Sequence, residues 1–228
     1  MMENPSPALV FAAFVLGGYL LGGIPFGYLI GRLKGVDVRT VGSKNIGATN
    51  VFRTVGKPWG LVAFACDVAK GLVPTLVAAS FLARQADGAS LANLPLWTGI
   101  ACVVGHMLTP YITDERGRRF HGGKGVATAF GMLLGLIPGV VGCAFALFAL
   151  LFALSNYISL GSCGAAAFLA VAIWFPILGT VGYRNLPQCV LVTLIALFII
   201  YKHRANLGRL VRGTENKIYL FKKPEGKA

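Results

Sequence analysis

The stretch KGVATAFGMLLGLIPGVVGCAFALFALLFALS, residues 124–155, decides how often this chain crosses a membrane. It is apolar almost throughout after Lys124, and Pro138 and Gly139 interrupt it. A bilayer core of about 30 Å needs about 20 apolar residues per helix, so the stretch is too long for one span and short for two. We therefore expect a hairpin of two short helices that turns at Pro138-Gly139, or a re-entrant pair.

Other apolar segments lie on both sides of this stretch, at 8–31, 59–83, 94–112, 159–179 and 187–201. Only 13% of the 228 residues are charged and 56% are hydrophobic, whereas soluble domains average about 25% charged residues. The 30 glycines fit membrane helices, because small residues let helices approach closely. We expect an all-α integral membrane protein with a single domain over residues 1–228.

Basic residues are concentrated in three places. The chain carries 21 Lys and Arg against 8 Asp and Glu, for a net charge of +13. Nearly all the basic residues lie in 32–58, in 113–124 and after residue 201. Cytoplasmic loops of membrane proteins carry an excess of Lys and Arg. The distribution therefore predicts an N-terminus outside, a cytoplasmic C-terminus with a basic tail from about residue 216, and segment 124–155 starting and ending in the cytoplasm.

The crossing count that follows is about seven transmembrane helices, or five if the hairpin does not cross. Orientation alone is one explanation of the basic excess, and an anionic substrate or lipid headgroup is another. The five cysteines lie in apolar stretches without a CxxC pair, so we interpret them as packing residues. The eight carboxylates are scattered, which does not suit a metal site.

The first glycine-rich motif, residues 42–53, begins GSKNIGATN. Its glycines permit tight turns in which backbone N–H groups converge on an anion. Ser43 and Asn45 add neutral hydrogen-bonding groups, Lys44 adds charge, and Arg53 can grip a phosphate through two N–H bonds. A plain loop of small residues is the alternative.

The second glycine-rich motif, HGGKGVAT at residues 121–128, resembles a Walker A loop but does not match it. Gly123 stands where the lysine belongs, Gly125 stands where Ser or Thr belongs, and no strand is predicted before it. An ATPase is therefore not expected. A glycine-rich turn that opens a helix still favours an anion, to which Lys124 adds a charge. The alternative is that these glycines only mark the start of a helix and bind no ligand.

Two further polar motifs follow. The serine motif, residues 159–162 (SLGS), opens a predicted span, where its serines either cap the helix or line a polar pocket.

The C-terminal motif, residues 203–215, places His203 and Asn206 on one helical face. We expect these two side chains to point into a site while neighbouring arginines meet lipid phosphates. A basic collar at a helix end is the alternative.

Two charged residues lie inside a predicted span. Asp67 and Lys70 are spaced i, i+3, and charges in that position are costly and usually paired. We predict a structural ion pair, with a substrate contact as the second interpretation. His106, in the next span, is interpreted as a hydrogen-bonded core residue and not as a ligand.

Together, the two glycine-rich motifs, YISLGS at 157–162 and the C-terminal motif closely resemble the bacterial acyl-phosphate-dependent glycerol-3-phosphate acyltransferases, in order and over essentially the whole chain. The resemblance implies transfer of a fatty acyl group from acyl phosphate to the 1-hydroxyl of sn-glycerol 3-phosphate, giving lysophosphatidic acid and phosphate. It implies a seven-helix protein of the bacterial inner membrane whose active site faces the cytoplasm. It also implies that no metal or cofactor is used.

The resemblance also assigns site residues. The expected catalytic residues are Ser43, Lys124, Ser162 and His203. The expected substrate-binding residues are these four with Asn45, Arg53, Gly123 and Asn206. Lys44 departs from the family pattern, where glycine is expected in many members. We expect a monomer in contact with membrane lipids and small-molecule substrates, and no nucleic acid.

The chemistry of these residues fits two phosphate-bearing substrates. Our hypothesis is that Arg53 and Lys124 hold phosphate groups, while the serines, His203 and Asn206 orient the glycerol and the leaving group. The base is either His203 or a substrate phosphate. Two other classes stay open: a transporter or channel for a phosphorylated or organic anion, and a scaffold that binds anionic lipid headgroups.

Overall fold

A computed structural model describes residues 5–85, 91–113, 122–175 and 186–219. The predicted basic loop residues 114–121, with His121, and the tail beyond 219 lie outside these ranges. Two compact units divide the chain at Pro138. The described residues contain no strand and form ten helices: α1 Pro7–Gly23, α2 Phe26–Leu33, α3 Ala48–Thr54, α4 Lys57–Leu82, α5 Leu94–Met107, α6 Val126–Leu136, α7 Pro138–Ser155, α8 Ile158–Ala172, α9 Leu186–Lys202 and α10 Arg204–Val211.

The predicted first span, 8–31, is broken into α1 and α2. Pro25 lacks an N–H group, and a residue before proline avoids the helical region. Ile24 accordingly has φ −56° and ψ 118°, and α2 begins at Phe26. The first apolar segment of the sequence is therefore two helices joined at one proline.

Polar side chains donate hydrogen bonds to the carbonyl groups near this break. Lys70 Nζ donates to Ile24 O over 2.8 Å, and Thr109 Oγ1 donates to Gly23 O over 2.7 Å. The Tyr111 hydroxyl donates to Leu20 O over 3.1 Å. Inside a bilayer no water is present to pair such groups, so protein donors must do it.

The next two predicted spans, 59–83 and 94–112, differ in outcome. The prediction for α4 is confirmed almost to the residue, and Pro74 lies inside the helix without ending it. Helix α5 ends at Met107, earlier than predicted, and Leu108 leaves the helical region with φ −125°. Pro110 lies two residues further on, where a helix cannot continue. The 14 residues of α5 rise only about 21 Å.

Glycines let the helices of the first unit touch at the backbone. A methyl group on Gly71 of α4 would overlap the Thr128 carbonyl oxygen of α6, and one on Gly131 of α6 would overlap the Val68 carbonyl oxygen of α4. Between α1 and α5, a methyl group on Gly22 would overlap the Cys102 backbone. Small residues at these positions give the close packing on which helix association in membranes depends.

The break predicted at Pro138-Gly139 is confirmed. Helix α6 ends at Leu136, Ile137 leaves the helical region with φ −142° and ψ 61°, and α7 begins at Pro138. The cause is the same as at Pro25, because Ile137 precedes a proline. The 11 residues of α6 rise only about 16 Å.

The second unit contains α7 to α10. Helix α8 packs against α9 and covers residues 158–172 of the predicted span 159–179; residues 176–185 are not among those described. Helix α9 coincides with the predicted apolar segment 187–201, and the chain then bends by 52° into α10. His203 lies at this bend, before the first residue of α10.

Helix length and composition identify the chain as a multi-pass membrane protein. Within the described ranges, three helical stretches are long and apolar enough to cross a bilayer: Pro7–Leu33, Lys57–Leu82 and Pro138–Ser155. A fourth is obtained if α9 and α10 are taken as one bent span. Helices α5, α6 and α8 are shorter apolar helices.

The contact between α4 and α6 makes a testable prediction. Gly71→Ala forces a methyl group against the Thr128 carbonyl oxygen, so we expect it to destabilise the protein by about 1–3 kcal/mol. The apparent melting temperature in detergent should fall by roughly 2–4 °C for each kcal/mol lost.

Gly17→Ala is the matched control. A methyl group on Gly17 meets no atom within 4 Å, and Gly17 lies inside α1 of the same unit. Alanine favours the helix over glycine by up to about 1 kcal/mol, so this variant should melt at the same temperature or higher. Equal melting temperatures for the two variants would contradict the close packing described here.

Candidate functional site

The first glycine-rich motif is organised around Asn50. This side chain is buried, and its Oδ1 accepts a hydrogen bond of 2.9 Å from the backbone N–H of Ser43. Its Nδ2 donates to Val38 O over 2.9 Å and to Val41 O over 3.2 Å. One amide therefore fixes both sides of the loop, and Ser43 is presented on the exposed side.

Two residues of this loop have left-handed backbone. Gly42 has φ +60° and Lys44 has φ +55°, a region in which residues with a Cβ are strained. Position 44, where the resemblance leads us to expect glycine in many family members, thus has a backbone conformation that glycine adopts without strain. Asn45 Oδ1 accepts from Gly47 N over 2.8 Å and closes the turn just before α3, which carries Arg53.

An ion pair holds the segment that leads into this motif. Arg39 Nη2 lies 2.7 Å from Asp37 Oδ2, and Arg39 Nη1 donates to Thr113 O over 3.2 Å. The hydrogen bond from the Arg39 side chain lowers the pKa of Asp37 from 3.8 to about 2. The pair is therefore charged at neutral pH, and any stability it contributes is lost only in strong acid.

The second glycine-rich motif lies against the end of α5. Gly122 N donates to Met107 O over 2.8 Å, and Gly123 N donates to His106 O over 3.1 Å. Gly125 precedes α6 with φ +79°, so the chain turns sharply before the helix begins. Lys124, half-buried, lies between the paired glycines and the amino end of α6, where the positive end of the helix dipole favours an anion.

The serine motif does not cap α8. The residue preceding the helix is Tyr157, which makes no side-chain cap, and both Ser159 and Ser162 are buried inside the helix. The capping interpretation of these serines is therefore wrong, because the helix begins one residue earlier than the motif. One turn of helix separates the two serines, which places both on one face.

Glu215 joins the serine motif to the C-terminal motif. Its Oε1 accepts from Ser159 Oγ over 3.1 Å and from Asn206 Nδ2 over 2.7 Å, and its Oε2 accepts from Arg209 Nε over 2.7 Å. Burial raises the pKa of Glu215, but the hydrogen bonds from Asn206 and Arg209 outweigh burial, so the pKa is lowered from 4.5. The carboxylate is therefore charged at neutral pH, and the stability its charge contributes is lost only as the pH falls below 4.5 towards the lowered pKa.

His203 is buried at the bend between α9 and α10. Its Nδ1 lies 2.9 Å from Ile199 O. A carbonyl oxygen only accepts hydrogen bonds, so Nδ1 carries the proton. In the neutral ring Nε2 is then the nitrogen able to take up a proton.

The predicted residues thus fall into two sets, one in each unit. The first unit contains the two glycine-rich motifs, and the second contains Ser162, His203 and Asn206. Sequence reasoning did not assign roles to Asn50 or to Glu215. Glu215 stands 56 residues after Ser159, and no local spacing joins them. In the sequence Asn50 is one of several polar residues of its motif, whereas in the structure its buried amide holds the loop.

The ion pair predicted inside α4 is confirmed. Lys70 Nζ lies 2.8 Å from Asp67 Oδ1, and both side chains are almost fully buried. His106 is buried beside them, as predicted for a core residue, but its Nδ1, 3.5 Å from the same carboxylate oxygen, does not form the predicted hydrogen bond. No cluster of three or more His, Cys, Asp or Glu suited to a metal occurs among the described residues.

Comparison with known proteins places these motifs in context. The chain matches the family model described as glycerol-3-phosphate acyltransferase over residues 12–213. It is 43% identical over 205 residues to the glycerol-3-phosphate acyltransferase of Trichlorobacter lovleyi, covering 90% of this chain and 95% of that relative. It is 41% identical over 213 residues to that of Synechococcus elongatus, covering 92% and 95%.

Two solved structures are similar as well. Both are crystal structures of PlsY (YgiH), an integral membrane glycerol 3-phosphate acyltransferase, one in the glycerol 3-phosphate form and one in the lysophosphatidic acid form. The TM-scores are 0.78 and 0.75, with 36% and 35% identity, over 92% of this chain and 96% of each solved chain. Family model, relatives and structures agree over nearly the whole length, and the chain belongs to the glycerol-3-phosphate acyltransferase family.

Proposed function

We propose that this protein transfers a fatty acyl group from acyl phosphate to the 1-hydroxyl of sn-glycerol 3-phosphate. The products are lysophosphatidic acid and inorganic phosphate, which makes the reaction a first step of phospholipid synthesis. Family membership over residues 12–213 carries the proposal. The two related structures in glycerol 3-phosphate and lysophosphatidic acid forms support the choice of substrate and product.

Phosphate binding is assigned to the two glycine-rich motifs. Both substrates are phosphate anions, so the enzyme needs two places that favour negative charge. The first motif offers Ser43, Asn45 and Arg53, and the guanidinium of Arg53 suits two-point binding of a phosphate. The second offers Gly123 and Lys124 beside the amino end of α6, where the N–H groups of the first helical turn and a point charge act together.

The reaction itself needs no covalent intermediate on the enzyme. Acyl phosphate is a mixed anhydride, and its phosphate is a good leaving group. The 1-hydroxyl oxygen of glycerol 3-phosphate attacks the acyl carbon, the bond from that carbon to the phosphate oxygen breaks, and phosphate departs with the bonding pair. The protein then has two tasks: to hold the hydroxyl near the carbonyl and to stabilise charge on the carbonyl oxygen and on the leaving phosphate.

The second unit is assigned the orientation of these groups. Ser162, His203 and Asn206 are the side chains proposed to orient the glycerol and the leaving group. Glu215 supports this assignment, because its hydrogen bond holds the Asn206 amide in one direction. The proton of the attacking hydroxyl goes either to His203 Nε2 or to a phosphate oxygen of the substrate. The bond from His203 Nδ1 to Ile199 O leaves Nε2 chemically suited to the first route.

The proposed arrangement in the cell is a monomer in the bacterial inner membrane. It has about seven transmembrane helices, an outer N-terminus, a cytoplasmic C-terminus and an active site that faces the cytoplasm. The concentration of Lys and Arg in three segments supports this orientation. A cysteine introduced at position 157 should resist impermeant thiol reagents added from outside to intact cells. Labelling of that cysteine from outside would overturn the orientation.

The reaction is tested with the purified protein in detergent. It should release phosphate from palmitoyl phosphate only when glycerol 3-phosphate is present, and lysophosphatidic acid should form in equal amount. Phosphate release that does not depend on glycerol 3-phosphate would indicate a hydrolase. Exchange of organic phosphates across proteoliposomes without product would favour a transporter.

The phosphate-binding roles are tested by substitution. Arg53→Ala and Lys124→Ala each remove a cation proposed to contact a phosphate, so we expect kcat/KM to fall by roughly 100-fold or more. Arg53→Lys keeps the charge but loses two-point binding, so its activity should lie between Arg53→Ala and the unchanged protein.

Lys34→Ala is the matched control. Lys34 lies in the same basic region, outside both motifs, with its Nζ 3.9 Å from the centre of the Trp59 ring. Removal of the Lys34 amine lowers the net charge by the same amount. Because Lys34 lies outside both proposed phosphate sites, activity should stay near that of the unchanged protein. Full activity in Arg53→Ala and Lys124→Ala would refute the assignment.

A further inference from the structure

A buried charge cluster in the first unit has no part in the mechanism above. Asp67, Lys70 and His106 are all at least 94% buried, and they lie on helices of a membrane protein. Lys70 Nζ is 2.8 Å from Asp67 Oδ1, and His106 Nδ1 is 3.5 Å from the same oxygen. Charges at such depth are costly, and they commonly mark function.

The cluster touches the second glycine-rich motif through His106. A methyl group on Gly123 would overlap His106 Nε2 and would stand 2.7 Å from Cε1 and 3.0 Å from Cδ2. The imidazole ring therefore lies directly against the Gly123 backbone. The carbonyl oxygen of His106 also accepts the hydrogen bond from Gly123 N. One residue thus contacts Gly123 with both its ring and its backbone.

The imidazole of His106 lies in turn beside the ion pair. The carboxylate of Asp67 faces Nδ1 of the ring, on the side away from the Nε2 atom that meets Gly123. Lys70 neutralises this carboxylate and also donates to Ile24 O over 2.8 Å. Ile24 is the residue at the break between α1 and α2. The cluster therefore connects the helix break, α4, α5 and the second glycine-rich motif.

We infer that Asp67, Lys70 and His106 are positioning residues that set the place of Gly123, and so of Lys124, for the substrate phosphate. The inference rests on the proposed phosphate-binding role of Lys124. None of the three residues needs to touch substrate. Their action is through the His106 ring, which meets the loop one residue before Lys124.

A purely structural ion pair would affect stability without favouring one substrate, and kinetics separates the two cases. The KM of palmitoyl phosphate, the KM of glycerol 3-phosphate and kcat are measured for His106→Gln, Asp67→Asn and Lys124→Ala. The two cluster variants should raise the same KM that rises in Lys124→Ala, by about tenfold or more, with a smaller change in kcat.

Thr98→Val is the matched control for the cluster variants. Thr98 is as deeply buried in α5 as His106, its hydroxyl donates to Leu94 O over 2.8 Å, and valine keeps its shape. This variant should leave both KM values unchanged. Folded His106→Gln and Asp67→Asn proteins with unchanged KM values would overturn the inference.

A double-mutant cycle approaches the same contact from the loop. Gly123→Ala drives a methyl group into the His106 ring, so the KM that depends on Lys124 should rise. His106→Ala makes room for that methyl group. The double variant should therefore lose less than the product of the two single effects. Effects that simply multiply would overturn the inference, and this cycle leaves Asp67 and Lys70 intact where the ion-pair variants are recovered unfolded.

Failure of the proposed function gives a different pattern. Unchanged KM values in Lys124→Ala, together with strong coupling between His106 and Gly123, would overturn the role of Lys124 and support positioning of the loop. Impaired Lys124→Ala with unchanged His106→Gln and multiplicative effects in the cycle would overturn the positioning role alone.

Discussion

The need to pair backbone carbonyls where helices break, in a bilayer without water, is the constraint on which this structure depends. Proline or a bend interrupts the helices, and each interruption frees carbonyl oxygens in an apolar surrounding. Side chains contact three of these carbonyl oxygens: Lys70 at Ile24, Thr109 at Gly23 and His203 at Ile199. In the first case the donor, Lys70, also forms the buried ion pair with Asp67. At the break between α1 and α2, one side chain therefore both pairs a freed carbonyl and places a charge.

Hydropathy and proline predict most of the helices. The breaks before Pro138 and after Lys202 and the full length of α4 follow from apolar runs and their interruptions. The break at Pro25 was missed because apolar residues continue across it, and hydropathy does not register a lost N–H group. Helix α5 was predicted too long for a similar reason, since Leu108 is as apolar as the helix before it. Local backbone geometry, which hydropathy does not contain, sets both the break at Pro25 and the end of α5 at Met107.

The candidate site was predictable where its residues are close in sequence. Glycine, serine and lysine within 42–50 and 121–128 indicate anion binding through their local chemistry alone. The hydrogen bonds of Glu215 to Ser159 and Asn206 were not predictable, since they depend on how α8, α10 and the following segment pack. The contact of His106 with Gly123 likewise joins two segments that resemble ordinary core and ordinary loop. Such partners emerge only from tertiary structure.

The backbone contacts between α4 and α6 also limit how this chain can change over generations. Any residue that replaces Gly71 brings a Cβ against the carbonyl oxygen of Thr128, and every amino acid at position 128 has that same carbonyl. No second substitution there can relieve the first. At Gly123 the obstructing group is the His106 side chain, which mutation can make smaller. A substitution at Gly123 can therefore be compensated by a smaller residue at position 106. A substitution at Gly71 cannot be compensated by any residue at position 128.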